Sequence, residues 1–162
     1  MHADKRADKI HGRGPEGKAI VFGLFERETG KAHTKAVSTR KKKDLQKEVR
    51  DTVTAGAEVH TDALKSYDGL DEYAHKVVDH AETYVNGNIH SNGLEPFWSL
   101  LKRTISGTYL SVETFHLFRY LDEQMFRYNN RKNMNDADRF SLAVSQIVGK
   151  RITFAQLTGK PN

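Results

Sequence analysis

SNGLEPFWSLLKR, residues 91–103, is the most informative stretch of this sequence, because it combines an apolar helix flank with a polar one. Phe97 and Leu101 are one helical turn apart and predict a side that faces a core. Glu95 and Lys102 are seven residues apart, which is two turns, so they point the same way on a different flank. An ordinary exposed ion-pairing face has the same pattern, and the remaining sequence must distinguish the two.

The composition predicts one soluble globular domain. The chain has 162 residues, of which 37% are hydrophobic and 29% are charged, which is enough to bury a core beneath a polar surface. It contains no run of 18 apolar residues, so we expect no membrane span. With no cysteine, it has no disulfide framework and no thiolate metal site, and it suits a reducing cytoplasm.

The charge distribution points to a polyanionic partner. The formal net charge is +5, and Lys and Arg are concentrated at residues 5–18, 40–43 and 127–132. Basic clusters of this kind favour nucleic acid as the partner. A basic protein without such a partner is the alternative.

The first half of the chain predicts strands and the second half helices. Residues 1–17 form a basic arm or loop, and the folded domain is expected over residues 18–162. Alternating and β-branched residues predict a hairpin of strands at 19–25 and 32–37 around Gly30. An amphipathic helix at 41–53 and strands at 57–62 and 75–80 follow.

Apolar spacing predicts two further helices. In the first, Ser111 is the expected N-cap and the buried face comprises Phe118, Leu121, Met125 and Tyr128. In the second, Phe140, Ala143, Val144 and Ile147 share one side, with Asp136 as cap and Gly149 as terminator. Together with the strands, this order predicts an α/β fold.

Asp62 and Glu95 are the candidate metal ligands. Asp62 ends a predicted strand and Glu95 begins a predicted helix, positions from which two carboxylates can converge on Mg²⁺ or Mn²⁺. Two such ions can activate a nucleophile and stabilise the leaving oxygen of a phosphodiester. Surface charge is the alternative for both residues. His75, His80 and His90 match no compact zinc motif.

Four stretches occur in an order that resembles one known family. They are TDALKSYDGL, YVNGNIHSNGLEPFWSLLKR, FRYNNR and RFSLAVSQIVGKRITFAQLTG. Together they resemble the catalytic domain of DDE-type transposases of bacterial insertion sequences, over nearly the whole chain. The resemblance implies a ribonuclease H-like fold, with a mixed sheet and flanking helices, and metal-dependent DNA strand cleavage and transfer.

The resemblance also implies roles for single residues. Asp62 and Glu95 match the second and third acids of the family's triad, and Lys102 matches a basic residue thought to position DNA. We expect further DNA contacts from Arg103, His90 and Asn92, and from the basic cluster Arg40, Lys41, Lys42 and Lys43. Turn-forming polar residues and a solvated loop are the alternatives for these two groups.

One departure from the family pattern lowers the expected activity. The first triad acid lies on the central strand, in a motif like V-D-E-T, whereas this sequence starts within the basic arm. The resemblance therefore predicts an N-terminally truncated domain without that strand, with open edges on its neighbours and impaired catalysis. A non-catalytic DNA-binding or oligomerising remnant is the alternative. An active form is expected to be a homo-oligomer in the cytoplasm, associated with the nucleoid.

Overall fold

The computed structural model describes residues 18–78, 92–109 and 112–159. Four strands and five α-helices are present in these ranges: β1 Ile20–Glu26, β2 Lys31–Val37, α1 Lys42–Thr52, β3 Glu58–Asp62, β4 Ala74–Val78, α2 Glu95–Thr104, α3 Leu117–Asn129, α4 Asp136–Ser145 and α5 Phe154–Thr158. The predicted arm at residues 1–17 lies outside them. Within these ranges, no helix is long and apolar enough to cross a bilayer.

β1 and β2 form the predicted hairpin. They pair antiparallel from Ile20 opposite Val37 to Glu26 opposite Lys31. Gly30 has φ +70°, a value that glycine adopts without the steric cost of a Cβ atom, and its N–H donates to the carbonyl of Glu26 at 2.8 Å. This turn confirms the hairpin prediction.

β3 and β4 form a second, separate sheet. They pair parallel, with Glu58 opposite Ala74 and Asp62 opposite Val78. Among the described residues the strands make two two-stranded sheets, so the structure is a mixed α/β arrangement that is compatible with the expected mixed sheet without its central strand. Each strand therefore keeps one edge without a strand partner in the described part of the chain.

Side chains alternate along β1 between two cores. Phe22 and Leu24 belong to a cluster with α1, whereas Val21 and Phe25 pack on the other face with α2 and α3. This alternation follows from the period of two in a strand. The helices thus cover both faces of the hairpin, which gives three layers.

The cluster between α1 and the strands joins the two sheets. It contains Phe22 from β1, Leu45 and Val49 from α1, and Val59 from β3. Leu45 and Val49 are the residues whose spacing predicted the helix. Because one cluster touches both sheets, α1 lies on the same side of each.

The second core confirms the apolar flank of residues 91–103. Phe97 and Leu101 are buried against α3, with Leu121 and Tyr128 facing them. Trp98 packs edge-on to Phe97, with ring centroids 5.2 Å apart, so it belongs to the core as its position in the helix suggests.

The start of α3 differs from the prediction. The helix begins at Leu117 with His116 as its N-cap, after a 3₁₀ turn at Thr114–His116, so the predicted N-cap at Ser111 is wrong. Ser111 itself lies outside the described residues. Phe118, predicted to be buried, is 43% exposed, because Leu117 takes the inward position.

The end of α3 anchors the hairpin. The Asn129 side chain accepts from the Ala32 N–H at 2.8 Å and donates to the Ala32 carbonyl at 2.9 Å. Arg131 stacks on the Tyr128 ring and donates to the Gly30 carbonyl at 3.1 Å. The FRYNNR stretch therefore joins α3 to the β1–β2 hairpin.

None of the side chains of α4 and α5 is fully buried. Asn135, not Asp136, caps α4, through a capping box in which it exchanges hydrogen bonds with Asp138. The helix ends at Ser145, before Gly149, although Gly149 does have positive φ. The apolar stripe of α4 faces outward, contrary to what its spacing suggested.

Candidate active site

Asp62 is the last residue of β3 and its side chain is exposed. One carboxylate oxygen accepts from the Leu64 N–H at 3.3 Å, and the carbonyl accepts from the Thr61 hydroxyl at 2.9 Å. Burial, and then the charge of Asp62, raise the pKa of the Tyr67 hydroxyl. The negative charge at the end of β3 therefore acts on a side chain of the turn that follows the strand.

Glu95 is the first residue of α2 and is also exposed. A 3₁₀ turn, Asn92–Leu94, leads into the helix, and Pro96 occupies its first turn. A proline is tolerated there because the first N–H groups of a helix have no intrahelical acceptor. A carboxylate at this end is favoured by the helix dipole.

Lys102 and Arg103 lie in the last turn of the same helix, and both are exposed. Cations are favoured at this end of a helix. Phe97 and Leu101 fill the core side, so the polar flank that carries Glu95 and Lys102 is free to face a ligand. The division of the helix into two flanks is the one that the sequence predicts.

The alternation of β3 indicates which side of the sheet Asp62 occupies. Val59 packs in the α1 cluster, so Glu58, His60 and Asp62 alternate to the opposite face. That is the side on which α2 and α3 cover the neighbouring hairpin. Asp62 therefore lies on the face of β3 that is turned away from α1.

A cleft of about 660 Å³ lies between β1 and β3. Its walls are formed by β1 and its turn (residues 23–28), by the start of β3 and the residue before it (57–60), by the end of α1 and the residues after it (52–54), by His33, and by Gly93 and Leu94 just before α2. Glu95 directly follows a wall residue, and Asp62 lies two residues beyond one. Residues next to both candidate ligands in the sequence therefore line one cleft, whereas the two carboxylates themselves are not among its lining residues.

His60 is a polar residue of this cleft that the sequence interpretation did not single out. Its Nδ1 atom is buried without a hydrogen-bond partner in the described structure, and its Nε2 atom contacts Glu58. Hydrogen bonds from Lys76 and then from His60 lower the pKa of Glu58 to about 2. Alternation along β3 was the available signal, since His60 lies between Glu58 and Asp62 on one face.

The basic cluster at residues 40–43 lies beside the turn that follows Asp62. The Ser66 hydroxyl donates to the Arg40 carbonyl at 2.8 Å, and Gln46 of α1 donates to the Asp68 carbonyl at 2.7 Å. The side chains of Arg40, Lys41, Lys42 and Lys43 are exposed. These bonds fix the start of α1 near the carboxyl end of β3.

The remaining predicted residues are less informative. His80 and His90 lie outside the described residues, and Asn92 opens the 3₁₀ turn before α2. His75 and the Thr61 hydroxyl are within hydrogen-bonding distance at 2.9 Å. Across the described ranges, no three His, Asp or Glu side chains are grouped so that they could hold a metal ion.

Comparison with known sequences gives one family. A family model of the ISXO2-like transposase domain matches residues 2–129, which include both candidate carboxylates and Lys102. α4 and α5 lie beyond the matched region. No solved structure matches the chain significantly.

Two relatives carry related descriptions. A transposase-like protein of Haemophilus influenzae is 31% identical over 84 residues, which cover 51% of this chain and 68% of that protein. A protein in the transposable element ISH50 of Halobacterium salinarum is 34% identical over 107 residues. That match covers 62% of this chain and 36% of the relative.

Proposed function

Since this chain belongs to the ISXO2-like transposase domain family, we propose that it is the catalytic part of an insertion-sequence transposase with a ribonuclease H-like fold. Its reaction is metal-dependent cleavage of a DNA strand and transfer of the new 3′-hydroxyl to target DNA. Asp62 and Glu95 hold the metal, and the surrounding cations hold the DNA. The complete reaction requires one more carboxylate than the described residues supply.

The observation that supports this proposal is that neighbours of Asp62 and Glu95 line one cleft. His60 lies two residues before Asp62 and Leu94 directly precedes Glu95, and both are part of the wall of the β1–β3 cleft. Both lie within the region that matches the transposase domain. Both acids are exposed, so their carboxylate oxygens are accessible to a metal ion.

The donor set fits a hard divalent cation. Carboxylate oxygens are preferred by Mg²⁺ and Mn²⁺, and Mg²⁺ is held by one or two of them together with water and phosphate oxygens. When bound, such ions stabilise the attacking and leaving oxygens of a phosphodiester. Asp62 and Glu95 would hold the cation, and Lys102 would neutralise charge on the DNA.

The third carboxylate enters, in this proposal, on a strand in the β1–β3 cleft. A strand there pairs with the open edges of β1 and β3 and converts two small sheets into one mixed sheet. The orphaned Nδ1 of His60 lies in the cleft wall, where the strand can supply its hydrogen-bond partner.

DNA binding rests on two groups of exposed cations. Arg40, Lys41, Lys42 and Lys43 lie next to the turn after Asp62, and Lys102 and Arg103 share a helix with Glu95. Phosphate contacts of this kind position DNA without selecting its sequence. Each group of cations thus lies on or next to the element that carries a candidate metal ligand.

The test is a strand-joining assay with the element's own ends and Mg²⁺ or Mn²⁺. We expect no product from the 162-residue chain, and product when an extended segment with an aspartate is joined ahead of residue 1. In that longer protein, Asp62→Asn or Glu95→Gln should each reduce the rate by roughly a hundredfold or more. Glu113→Gln, an exposed acid away from the cleft, is the matched control. Full activity with Glu95→Gln would overturn the assignment.

A second candidate function is a non-catalytic DNA-binding remnant. The observation that favours it is the lack of a group of three metal-binding side chains in the described ranges. It predicts DNA binding that is independent of sequence and weakens steeply with salt, with no chemistry even after the strand is added. Replacing Lys41, Lys42 and Lys43 with alanine should make that salt dependence shallower under either function.

A further inference from the structure

Two glycines lie where β1 and the start of α2 approach each other. Gly23 is in the middle of β1, and Gly93 is in the 3₁₀ turn directly before α2. Neither has a positive φ, so space rather than backbone conformation explains the lack of a side chain at these positions. We propose that Gly23 and Gly93 are positioning residues for Glu95, because they let the turn before α2 pack directly on the strand.

The contact at Gly23 is made by the indole of Trp98. A Cβ atom on Gly23 would lie 2.6 Å from the Cζ2 atom of Trp98, 3.0 Å from its Cη2 atom and 3.1 Å from a methyl carbon of Leu94. An ordinary contact between two carbon atoms is about 3.5–4.0 Å long. Leu94 and Trp98 are four residues apart, so they lie on one side of the start of the helix. A side chain at position 23 would therefore push both of them away from β1.

The contact at Gly93 is the reverse of the first one, because here the ring belongs to β1. A Cβ atom on Gly93 would overlap the side chain of Phe25, at 2.7 Å from its Cε1 atom and 2.8 Å from its Cγ atom. Phe25 is two residues beyond Gly23 and so points to the same face of the strand. Each element thus contributes one glycine and one aromatic ring, and each ring lies over the glycine of the other element. Two such contacts restrict sliding of the turn along β1 as well as its distance from the strand.

Glu95 lies between these contacts in the sequence. Gly93 and Leu94 directly precede it and line the β1–β3 cleft, and Trp98 follows it by about one helical turn. The Glu95 side chain is exposed, so the backbone that carries it sets its position. A shift of about 1 Å in a catalytic group can lower a reaction rate by about a hundredfold. The consequence for DNA joining rests on the proposed function, whereas the fixed distance between α2 and β1 does not.

The first test measures the position of α2 in the 162-residue chain, without DNA or metal. Lys43 of α1 and Ser99 of α2 are exposed and lie on helices that cover opposite faces of the hairpin, and the chain has no cysteine of its own. With both residues replaced by spin-labelled cysteine, pulsed electron paramagnetic resonance gives the distance between the two helices. Gly23→Ala should lengthen this distance by about 1 Å or more, because the close-packed contact must open. Gly107→Ala is the matched control, since a Cβ atom there meets nothing within 4 Å, and it should leave the distance unchanged.

Paired substitutions identify the contacts themselves. Trp98→Phe removes the edge of the ring system that carries Cζ2 and Cη2, so Gly23→Ala/Trp98→Phe should return to the wild-type distance. Phe25→Leu should restore Gly93→Ala in the same way, but it should not restore Gly23→Ala. A wild-type distance in Gly23→Ala alone, or its restoration by Phe25→Leu, overturns the inference. If circular dichroism shows that Gly23→Ala alone has not folded, its pair with Trp98→Phe should fold with the wild-type distance, and a pair that fails to do so also overturns the inference.

The second test concerns the reaction, in the longer protein that has an extended segment ahead of residue 1. Gly23→Ala should lower the rate of strand joining by roughly tenfold or more, and adding Trp98→Phe should restore it. Restoration by this one partner separates an effect of position from a general loss of stability. A rate that stays at the wild-type value although the measured distance has changed contradicts the positioning role. A longer protein without activity in its wild-type form counts against the proposed function, and the distances then decide the inference by themselves.

Discussion

The two sheets of this domain are supported in different ways. The antiparallel pair β1–β2 has seven-residue strands, a tight turn at Gly30, and helices on both faces. The parallel pair β3–β4 has five-residue strands, and its packed face is the one toward α1. Parallel sheets are normally buried on both sides. The hairpin is thus encoded locally, while the parallel pair depends on neighbours, and the open cleft lies between the two.

Phe22 offers the strongest test of whether the two sheets form one unit. It belongs to β1 but packs with Val59 of β3, and it is 6% exposed. Phe22→Ala should lower the free energy of unfolding by about 3–5 kcal/mol, from lost burial and the cavity left behind. Urea titrations followed by circular dichroism and by fluorescence of Trp98, the single tryptophan, give the measurement.

The two signals should change together in these titrations if α1 joins both sheets. Trp98 reports the core beside the hairpin, whereas circular dichroism reports the whole chain. Val77→Ala, at an exposed position of β4, is the control and should have little effect. Separate transitions in the wild-type chain would mean that the sheets unfold independently.

Replacing Asn129 should have an intermediate effect on the free energy of unfolding, because its contacts are with the β1–β2 hairpin alone. Asn129→Ala removes the two hydrogen bonds to Ala32 and leaves part-buried backbone groups unpaired. We expect a loss of about 1–3 kcal/mol of unfolding free energy. Asn130→Ala, which removes one bond to the Phe126 carbonyl within the helix, serves as control and should cost less. Equal losses would argue against the anchoring role of α3.

Replacing Glu58 should have the smallest effect on stability, and this effect concerns the parallel pair β3–β4. Hydrogen bonds from Lys76 of β4 and from His60 lower its pKa to about 2, from an ordinary value of 4.5. A lowered carboxyl pKa stabilises the fold above the ordinary value, and this contribution is lost as the pH falls toward 2. Melting temperatures at pH 7, 4 and 2.5 should therefore fall less steeply for Glu58→Gln than for wild type. Glu28→Gln, an exposed turn residue, should follow the wild-type profile.

Local patterns predicted the secondary structure well. The hairpin, α1, β3 and the flanks of α2 follow from alternation, four-residue spacing and Gly30, which act within a few residues. The separation of the two sheets depends on which strands pair across long stretches of sequence, and local patterns do not predict such pairing. Only the resemblance, not the local patterns, predicted open edges on the two strands that neighbour the central one.

The candidate site stays a prediction from matched motifs. Asp62 and Glu95 were identified in this way, and the structure adds that His60 and Leu94, close to them in the sequence, line one cleft. His60 was missed because a lone histidine in a short strand has no distinctive spacing. The exposure of Phe140 and Val144 was missed because helical periodicity predicts an apolar side without indicating what covers it.

The central claim is that β1 and β3 flank a position where one further strand can pair with both. Hydrogen exchange of β1 and β3 tests this claim most directly. The chain is compared with the longer protein that has an extended segment ahead of residue 1, and exchange is followed by mass spectrometry. We predict that amides in both Ile20–Glu26 and Glu58–Asp62 become protected together, while those of Lys31–Val37 and Ala74–Val78 change much less. Protection in one of the two facing strands alone, or in neither, would contradict the account.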